Sequence, residues 1–236
     1  MPDNSGVMVV TGASTGVGRA VCLRFAAEGF RVCALARSLD KLGVLATEAE
    51  GEVYPYRLDV TDSDAVGEVF QQIVADHGRV DVLVNNAGVT SSRENVDAAL
   101  IDRIIDTNLK GTLYCSFAAL PTMKAQQVGR IINVASIAGY DIAPAGGNGL
   151  YAASKFGVMA FTESLGKAVR RDGILVTGLC PGGIDTPLWS GDNSYPFAKS
   201  AMIRPEEVAD LIAYVLAQPR RTLFKNIVFV PTVEQW

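Results

Sequence analysis

The sequence predicts an α/β fold: a doubly wound parallel sheet of about seven strands with helices on both faces, in three layers. Three observations predict it. Short apolar runs alternate with amphipathic stretches from one end of the chain to the other, the order that winds a parallel sheet. Several of the runs are continuously apolar, as strands covered on both faces are. The 236 residues hold no linker, repeat or low-complexity segment, so 1–236 reads as one domain of ordinary α/β size.

The elements follow in order. Val7–Thr11 reads as the first strand; a Gly-rich turn and an amphipathic stretch through Glu28 come next. Arg31–Ala36 is the second strand, 39–49 a helix, 53–58 the third strand and 63–76 a helix. Residues 80–84 form a short apolar run, suited to a strand buried on both sides. Helices are expected at 96–105 and 112–126, a strand at 130–135, a helix at 152–171 and a strand at 174–179. Pro205 opens a helix to Ala217, at the first helical position that proline favours. Residues 227–230 make the last strand. The one long irregular stretch is 187–204, rich in Gly, Asn, Ser and Pro.

Composition excludes several function classes. Hydrophobic residues make up 49% of the chain, and 21 basic against 25 acidic side chains leave a net charge of −4. Scattered, mildly acidic charge offers no footprint for nucleic acid. The start, Met1-Pro2-Asp3-Asn4-Ser5-Gly6, lacks a basic n-region, and the apolar run at 7–10 is too short for a signal or a membrane span. The expectation is a cytoplasmic protein with no membrane segment. Cys22, Cys33, Cys115 and Cys180 lie among apolar neighbours with no C-x-x-C pair, and read as reduced core residues. His77 is the only histidine and sits in Asp76-His77-Gly78-Arg79, so it reads as solvated and no metal site is expected.

Thr11-Gly12-Ala13-Ser14-Thr15-Gly16-Val17-Gly18 comes straight after the first strand and opens the first helix. Its glycines permit a tight turn and close approach to a pyrophosphate, and the helix N-terminus offers free N–H groups. On spacing alone such a turn is equally an ordinary βα connection. The strand before it and the helix after it favour the phosphate site. Three residues separate its first two glycines, a departure from the G-x-G-x-x-G fingerprint.

With that spacing the chain resembles the short-chain dehydrogenase/reductase family, a Rossmann-like branch whose turn is T-G-x-x-x-G-x-G. Other motifs match in order. Asn85-Asn86-Ala87-Gly88 resembles the family's N-N-A-G, Tyr151-Ala152-Ala153-Ser154-Lys155 its Y-x-x-x-K, and Pro181-Gly182 its P-G turn. Asp59-Val60 resembles its adenine-contacting pair. The resemblance spans essentially the whole chain and implies a nicotinamide dinucleotide as cofactor. Gly12, Ser14, Thr15, Gly16, Val17 and Gly18 would hold its pyrophosphate, Asp59 and Val60 would meet its adenine, and Lys155 would contact the nicotinamide ribose. Asn86, Ala87, Gly88, Tyr151, Pro181, Gly182, Ile184 and Thr186 complete the residues expected to bind it.

The second strand ends Ala34-Leu35-Ala36-Arg37-Ser38. An acidic residue there would bond the ribose 2′-OH and select NAD, whereas an arginine can pair with a 2′-phosphate. Ala36 carries no carboxylate, and the guanidinium fork of Arg37, beside Ser38, suits phosphate geometry. NADP(H) is therefore expected, with NAD(H) as the alternative. The other reading of Arg37 is a solvent-facing side chain. Many NADP-dependent relatives carry a second basic residue where this chain has Thr15.

Tyr151 and Lys155 stand one helical turn apart and share a face. An ammonium beside a phenol favours the phenolate, and a phenol tuned downwards can exchange a proton during carbonyl–alcohol interconversion. The resemblance adds Ser136, after Asn133-Val134-Ala135, as the holder of the substrate oxygen. It adds Asn108, in Thr107-Asn108-Leu109-Lys110-Gly111, as the holder of a water on the way to Lys155. A catalytic tetrad of Asn108, Ser136, Tyr151 and Lys155 would then interconvert a small-molecule carbonyl compound and a secondary alcohol. A non-catalytic sensor or scaffold of the same fold is the alternative; such proteins lack the Tyr or the Lys that this chain keeps. A lyase- or epimerase-like relative would carry a longer C-terminal substrate region.

Two further expectations concern surfaces. The stretch 187–204 leaves the sixth strand at its carboxyl end and holds Leu188, Trp189, Tyr195, Pro196 and Phe197. These aromatics either form a substrate lid or pack on the domain or a subunit contact. The helices at 112–126 and 152–171 carry small and apolar residues on more than one face. In relatives such helices pair with their symmetry mates, so a homo-oligomer, a tetramer or dimer, is expected; the other reading is that they only cover the sheet.

Overall fold

Successive side chains of a strand point to opposite faces, and in the central strands both faces are covered. The structure is a computed structural model and describes residues 6–91, 96–141, 149–189 and 198–234. Its strands are β1 (Val7–Thr11), β2 (Arg31–Ala36), β3 (Val53–Arg57), β4 (Val82–Asn85), β5 (Gly129–Val134), β6 (Ile174–Pro181) and β7 (Asn226–Phe229). They form one parallel seven-stranded sheet in the order β3-β2-β1-β4-β5-β6-β7. The helices are α1 (Gly16–Ala27), α2 (Leu39–Glu48), α3 (Ser63–His77), α4 (Ala98–Ile105), α5 (Gly111–Gln126), α6 (Gly149–Val169) and α7 (Pro205–Ala217).

Met8 and Val10 of β1 join a core with Val21 and Phe25 of α1 and Val208 and Ile212 of α7. Val7 and Val9 point the other way, into a core with Phe70 and Ile73 of α3, Cys115 and Met123 of α5 and Leu165 of α6. Each large apolar side chain so buried contributes about 1.5–3 kcal/mol. Helix ends are closed locally. The Asp62 carboxylate accepts from the Asp64 and Ala65 amides at the start of α3, and Gly78 ends that helix at φ 75°. Arg130 is buried where β5 begins, and its guanidinium donates to the last carbonyls of α7, Val215 (3.1 Å) and Gln218 (2.8 Å). The negative end of the helix dipole compensates that buried charge.

The structure refines the sequence reading in four places. The expected gap between the helices at 96–105 and 112–126 is filled by a π-helical turn, Asp106–Lys110, which joins α4 to α5 through Asn108. The helix expected at 152–171 starts earlier, at Gly149, and so carries Tyr151 in its first turn. Ser136 does not end β5; it caps the 3-10 turn Ile137–Gly139, its hydroxyl accepting from the Ala138 amide at 3.1 Å. His77 is half-buried and not solvated. Its ring packs edge-on against Tyr54 with centroids 4.5 Å apart and meets the Tyr56 hydroxyl at 3.1 Å, because the edge strand β3 turns both tyrosines onto the last turn of α3. All four cysteines are free and buried. No described helix is long and apolar enough to cross a membrane, and the described residues hold no cluster of three or more metal-ligating side chains.

Candidate active site

The strand order reverses direction between β1 and β4, and open parallel sheets bind ligands at the carboxyl ends of strands beside such a switch point. A cleft of about 490 Å³ opens there. Its floor is tied together by Thr11, the last residue of β1, whose hydroxyl oxygen accepts from the amides of Asn86 (3.0 Å) and Ala87 (3.1 Å) after β4. Asn86 answers through its side-chain amide, which donates to the carbonyls of Thr11 (3.1 Å) and Gly12 (3.3 Å). This crossing leaves no room for a side chain at Gly12 or Gly18. Gly12 has φ +64°, and a Cβ on Gly18 would collide with the Gly12 carbonyl oxygen and lie 2.6 Å from Asn86 Nδ2. Two of the first three residues of α1 thus carry no side chain, and the N–H groups of its first turn remain open to an anion.

Among the residues expected from the sequence, Gly12, Ser14, Thr15, Gly16 and Val17 after β1 and Asn86, Ala87 and Gly88 after β4 line the middle of the cleft. Arg37, Ser38, Asp59 and Val60, after β2 and β3, line one end. Ser136, Tyr151, Lys155, Pro181, Gly182, Ile184 and Thr186 line the other end. Two of the expected residues are not in the wall. Gly18 lies behind it, against Gly12. Asn108 is fully buried; its side-chain amide donates to the Val89 carbonyl (2.9 Å) and the Ser154 hydroxyl (3.0 Å), and its Oδ1 accepts from the Val89 amide (2.8 Å). The Asn108 carbonyl accepts from the Thr112 hydroxyl at 2.9 Å.

Tyr151 and Lys155 are both buried, at 8% and 4% exposure. Burial pushes the Tyr151 phenol up to about 12, and its hydrogen bond with the Ser136 hydroxyl pulls the other way. Burial also lowers the Lys155 ammonium to about 8. Lys155 Nζ donates to the Val134 carbonyl at 3.0 Å and lies 5.7 Å from the Tyr151 ring centroid. The expected lowering of the phenol by Lys155 is thus outweighed by desolvation in this arrangement. The ammonium is held by the strand carbonyl, not by the phenolic oxygen.

The family model described as short chain dehydrogenase matches residues 6–195. The chain belongs to the short-chain dehydrogenase family. An uncharacterized oxidoreductase of Staphylococcus epidermidis is 32% identical over 227 residues, covering 95% of this chain and 96% of the relative. A metagenomic short-chain oxidoreductase, solved in complex with NADP, superposes with a TM-score of 0.82 at 31% identity, covering 97% of this chain and 98% of that one. An alcohol dehydrogenase from the archaeon Thermococcus sibiricus, complexed with 5-hydroxy-NADP, superposes with a TM-score of 0.86 at 25% identity over 98% of each chain. The protein is accordingly a short-chain dehydrogenase-type oxidoreductase with the family's parallel sheet.

Several cleft residues of this short-chain dehydrogenase escaped the motif reading. Leu58 and Val89 line the wall through positions that no motif marks, and Leu35 and Thr107 do so beside Arg37 and Asn108 in stretches that were read for those neighbours. Lys41 lines it beside Arg37 and Ser38; its signal in the sequence was a basic residue in the first turn of the helix after β2. In the stretch 187–204, Leu188 and Trp189 are half-buried and line the cleft from the 3-10 turn Pro187–Trp189. Tyr195, Pro196 and Phe197 lie outside the described residues.

Proposed function

We propose that this protein is an NADP(H)-dependent dehydrogenase/reductase that interconverts a carbonyl compound and a secondary alcohol. One observation carries the reading: a buried phenol, bonded to a serine hydroxyl, shares one cleft with a glycine-rich helix N-terminus. The residues present fit a nicotinamide dinucleotide. The glycine-rich turn at Gly12–Gly18 suits a pyrophosphate, and Ile184 in the wall keeps an amide that bonds no described residue. When bound, that cofactor supplies or accepts the hydride. Ser136 orients the substrate oxygen, and Tyr151 gives or takes the proton at its phenolic oxygen. Lys155 would hold the ribose and carries the charge beside the phenol, and Asn108 braces the Val89 and Ser154 segments around them. Nicotinamide absorbance followed across a panel of ketones, aldehydes and secondary alcohols tests the reading; no turnover with any of them, despite coenzyme binding, favours the sensor alternative.

Coenzyme choice rests on Arg37 and Lys41. Arg37 is exposed, makes no bond among the described residues, and lines the same end of the cleft as Lys41. Two cations there offset the missing basic residue at Thr15. Arg37→Ala is expected to reduce the preference of kcat/KM for NADPH over NADH by about 10- to 150-fold, the worth of one charge-assisted phosphate bond. Lys41→Ala should act in the same direction with a smaller loss. Equal use of both coenzymes by the wild type would sink this assignment.

At the other end, Trp189 bounds the space beside Ile184 and Thr186, where a substrate's apolar part would sit. Trp189→Ala is expected to raise KM or lower kcat for a good substrate with little change in melting temperature. A lower melting temperature with unchanged kinetics would make Trp189 a packing residue instead. Assembly follows from exposed apolar groups on the α4–α6 side. Phe117 of α5 is 56% exposed and stacks at 5.8 Å on Phe161 of α6, with Ile101 and Phe156 also exposed. Light scattering should return a multiple of the 25.0 kDa chain mass; a monomer at micromolar concentration would refute it.

A further inference from the structure

From Gly182 to Asp185, the backbone amides after β6 bond other described residues except that of Ile184. Gly182 donates to the Phe229 carbonyl of β7 at 2.8 Å, and Asp185 donates to the Ile203 carbonyl at 2.9 Å. Ile203 returns its own amide to the Gly183 carbonyl at 3.0 Å. Ile184 is the bridge partner of Ile203, yet Ile203 makes both of the bonds, so the Ile184 N–H lies on the side away from it. The Gly183 amide is taken by a residue from far along the chain: it donates to Glu234 Oε1 at 3.1 Å. Glu234 is brought there by a turn in which its amide bonds the Pro231 carbonyl at 3.0 Å. The fit is close. A Cβ on Gly182 would collide with Glu234 Oε2 and lie 2.8 Å from Pro231 Cδ. Burial pushes the Glu234 carboxyl up, and the Gly183 amide opposes that shift. Glu234 itself is not in the cleft wall; Gly182 and Ile184 are. It also lies beyond the stretch that the family model covers.

We propose that Glu234 is a positioning residue. Its carboxylate pins the Gly182–Gly183 backbone from behind, so that the Ile184 amide, which bonds no described residue, is presented to the nicotinamide end of the coenzyme. The proposal rests on the coenzyme reading above. A pinned turn has its geometry before the ligand arrives, and ligand binding then spends nothing on ordering it. The effect is confined to the nicotinamide half, because the pyrophosphate and adenosine contacts would come from the ends of β1, β2, β3 and β4.

The test compares two ligands by titration calorimetry: NADP⁺, and 2′-phospho-ADP-ribose, which lacks only the nicotinamide. Glu234→Ala is expected to weaken NADP⁺ about tenfold, the loss of one hydrogen bond to a charged group, and to leave 2′-phospho-ADP-ribose within about twofold. The second ligand also reports that the variant is folded. Glu234→Gln keeps an acceptor oxygen and should restore most of the NADP⁺ affinity. Unchanged NADP⁺ affinity in Glu234→Ala, equal weakening of both ligands, or no recovery in Glu234→Gln would each overturn the proposal while leaving the coenzyme reading intact. If the wild type prefers NAD⁺, the same split is read with NAD⁺ and ADP-ribose. A wild type that binds none of these ligands overturns both.

Discussion

Tyr151→Phe is expected to lower kcat at least about 100-fold while the fold and NADP(H) binding stay nearly intact, the lower range for losing a general acid. The substitution removes one oxygen from a ring that is 8% exposed, so packing survives. What disappears is the group that bonds the Ser136 hydroxyl and faces the substrate. The pH dependence follows from the direction of its shift. A phenol raised to about 12 holds its proton at neutral pH and can give it to a carbonyl oxygen. Reduction should therefore run well at neutral pH, and alcohol oxidation, which needs the phenolate, should accelerate as pH rises. Stopped-flow turnover in both directions, with coenzyme fluorescence to confirm binding, checks this. Near-normal turnover by the variant would mean that the proton comes from elsewhere.

Lys155→Met is expected to cost at least about 100-fold in kcat and to weaken NADP(H) as well, since on the proposed reading this one side chain would bond the ribose beside the phenol. Its effect on stability should run the opposite way. Lys155 is buried, and among the described residues no carboxylate pairs with it. Its folded pKa, about 8, lies below the ordinary 10.5. Between those values the unfolded chain holds more protons than the folded one, so the ligand-free protein gains stability as pH rises through that window. The whole shift is worth on the order of 3 kcal/mol. Methionine fills similar space without a charge, at the cost of about 1 kcal/mol for the unpaired Val134 carbonyl. Calorimetric melts at pH 7 and pH 10 should show Lys155→Met at least as stable as the wild type at pH 7, with the pH-dependent gain gone. A variant that melts well below the wild type at pH 7 would show that the Val134 bond outweighs the buried charge.

Legibility in the sequence followed the range of the interactions. The Gly12–Gly18 turn, the Asn86–Gly88 segment and the Tyr151/Lys155 pair were readable because each is written in a few consecutive residues, although bonds across more than seventy residues tie the first two together. Lys41 was passed over because its relevance requires α2 to start beside the end of β2, a placement set by the β2–β3 crossover. The role expected of Asn108 looked outward, towards a water. In the fold its side chain is taken up by Val89 and Ser154, on segments far apart in the chain. His77 read as a surface residue because nothing local announces that Tyr54 and Tyr56 close over it.

By itself, the sequence determined the parallel α/β architecture, the glycine-rich helix N-terminus and the one-turn pairing of a phenol with an ammonium. Strand and helix periodicity and the steric freedom of glycine are local properties that the residue order carries directly. Only the tertiary structure decided how charged those groups are and what holds them. Desolvation depends on everything packed around a side chain, so the phenol went up and the ammonium came down, against the expectation for an exposed pair. The Glu234–Gly183 bond likewise exists only because β7 pairs with β6 and carries the following turn back against the cleft.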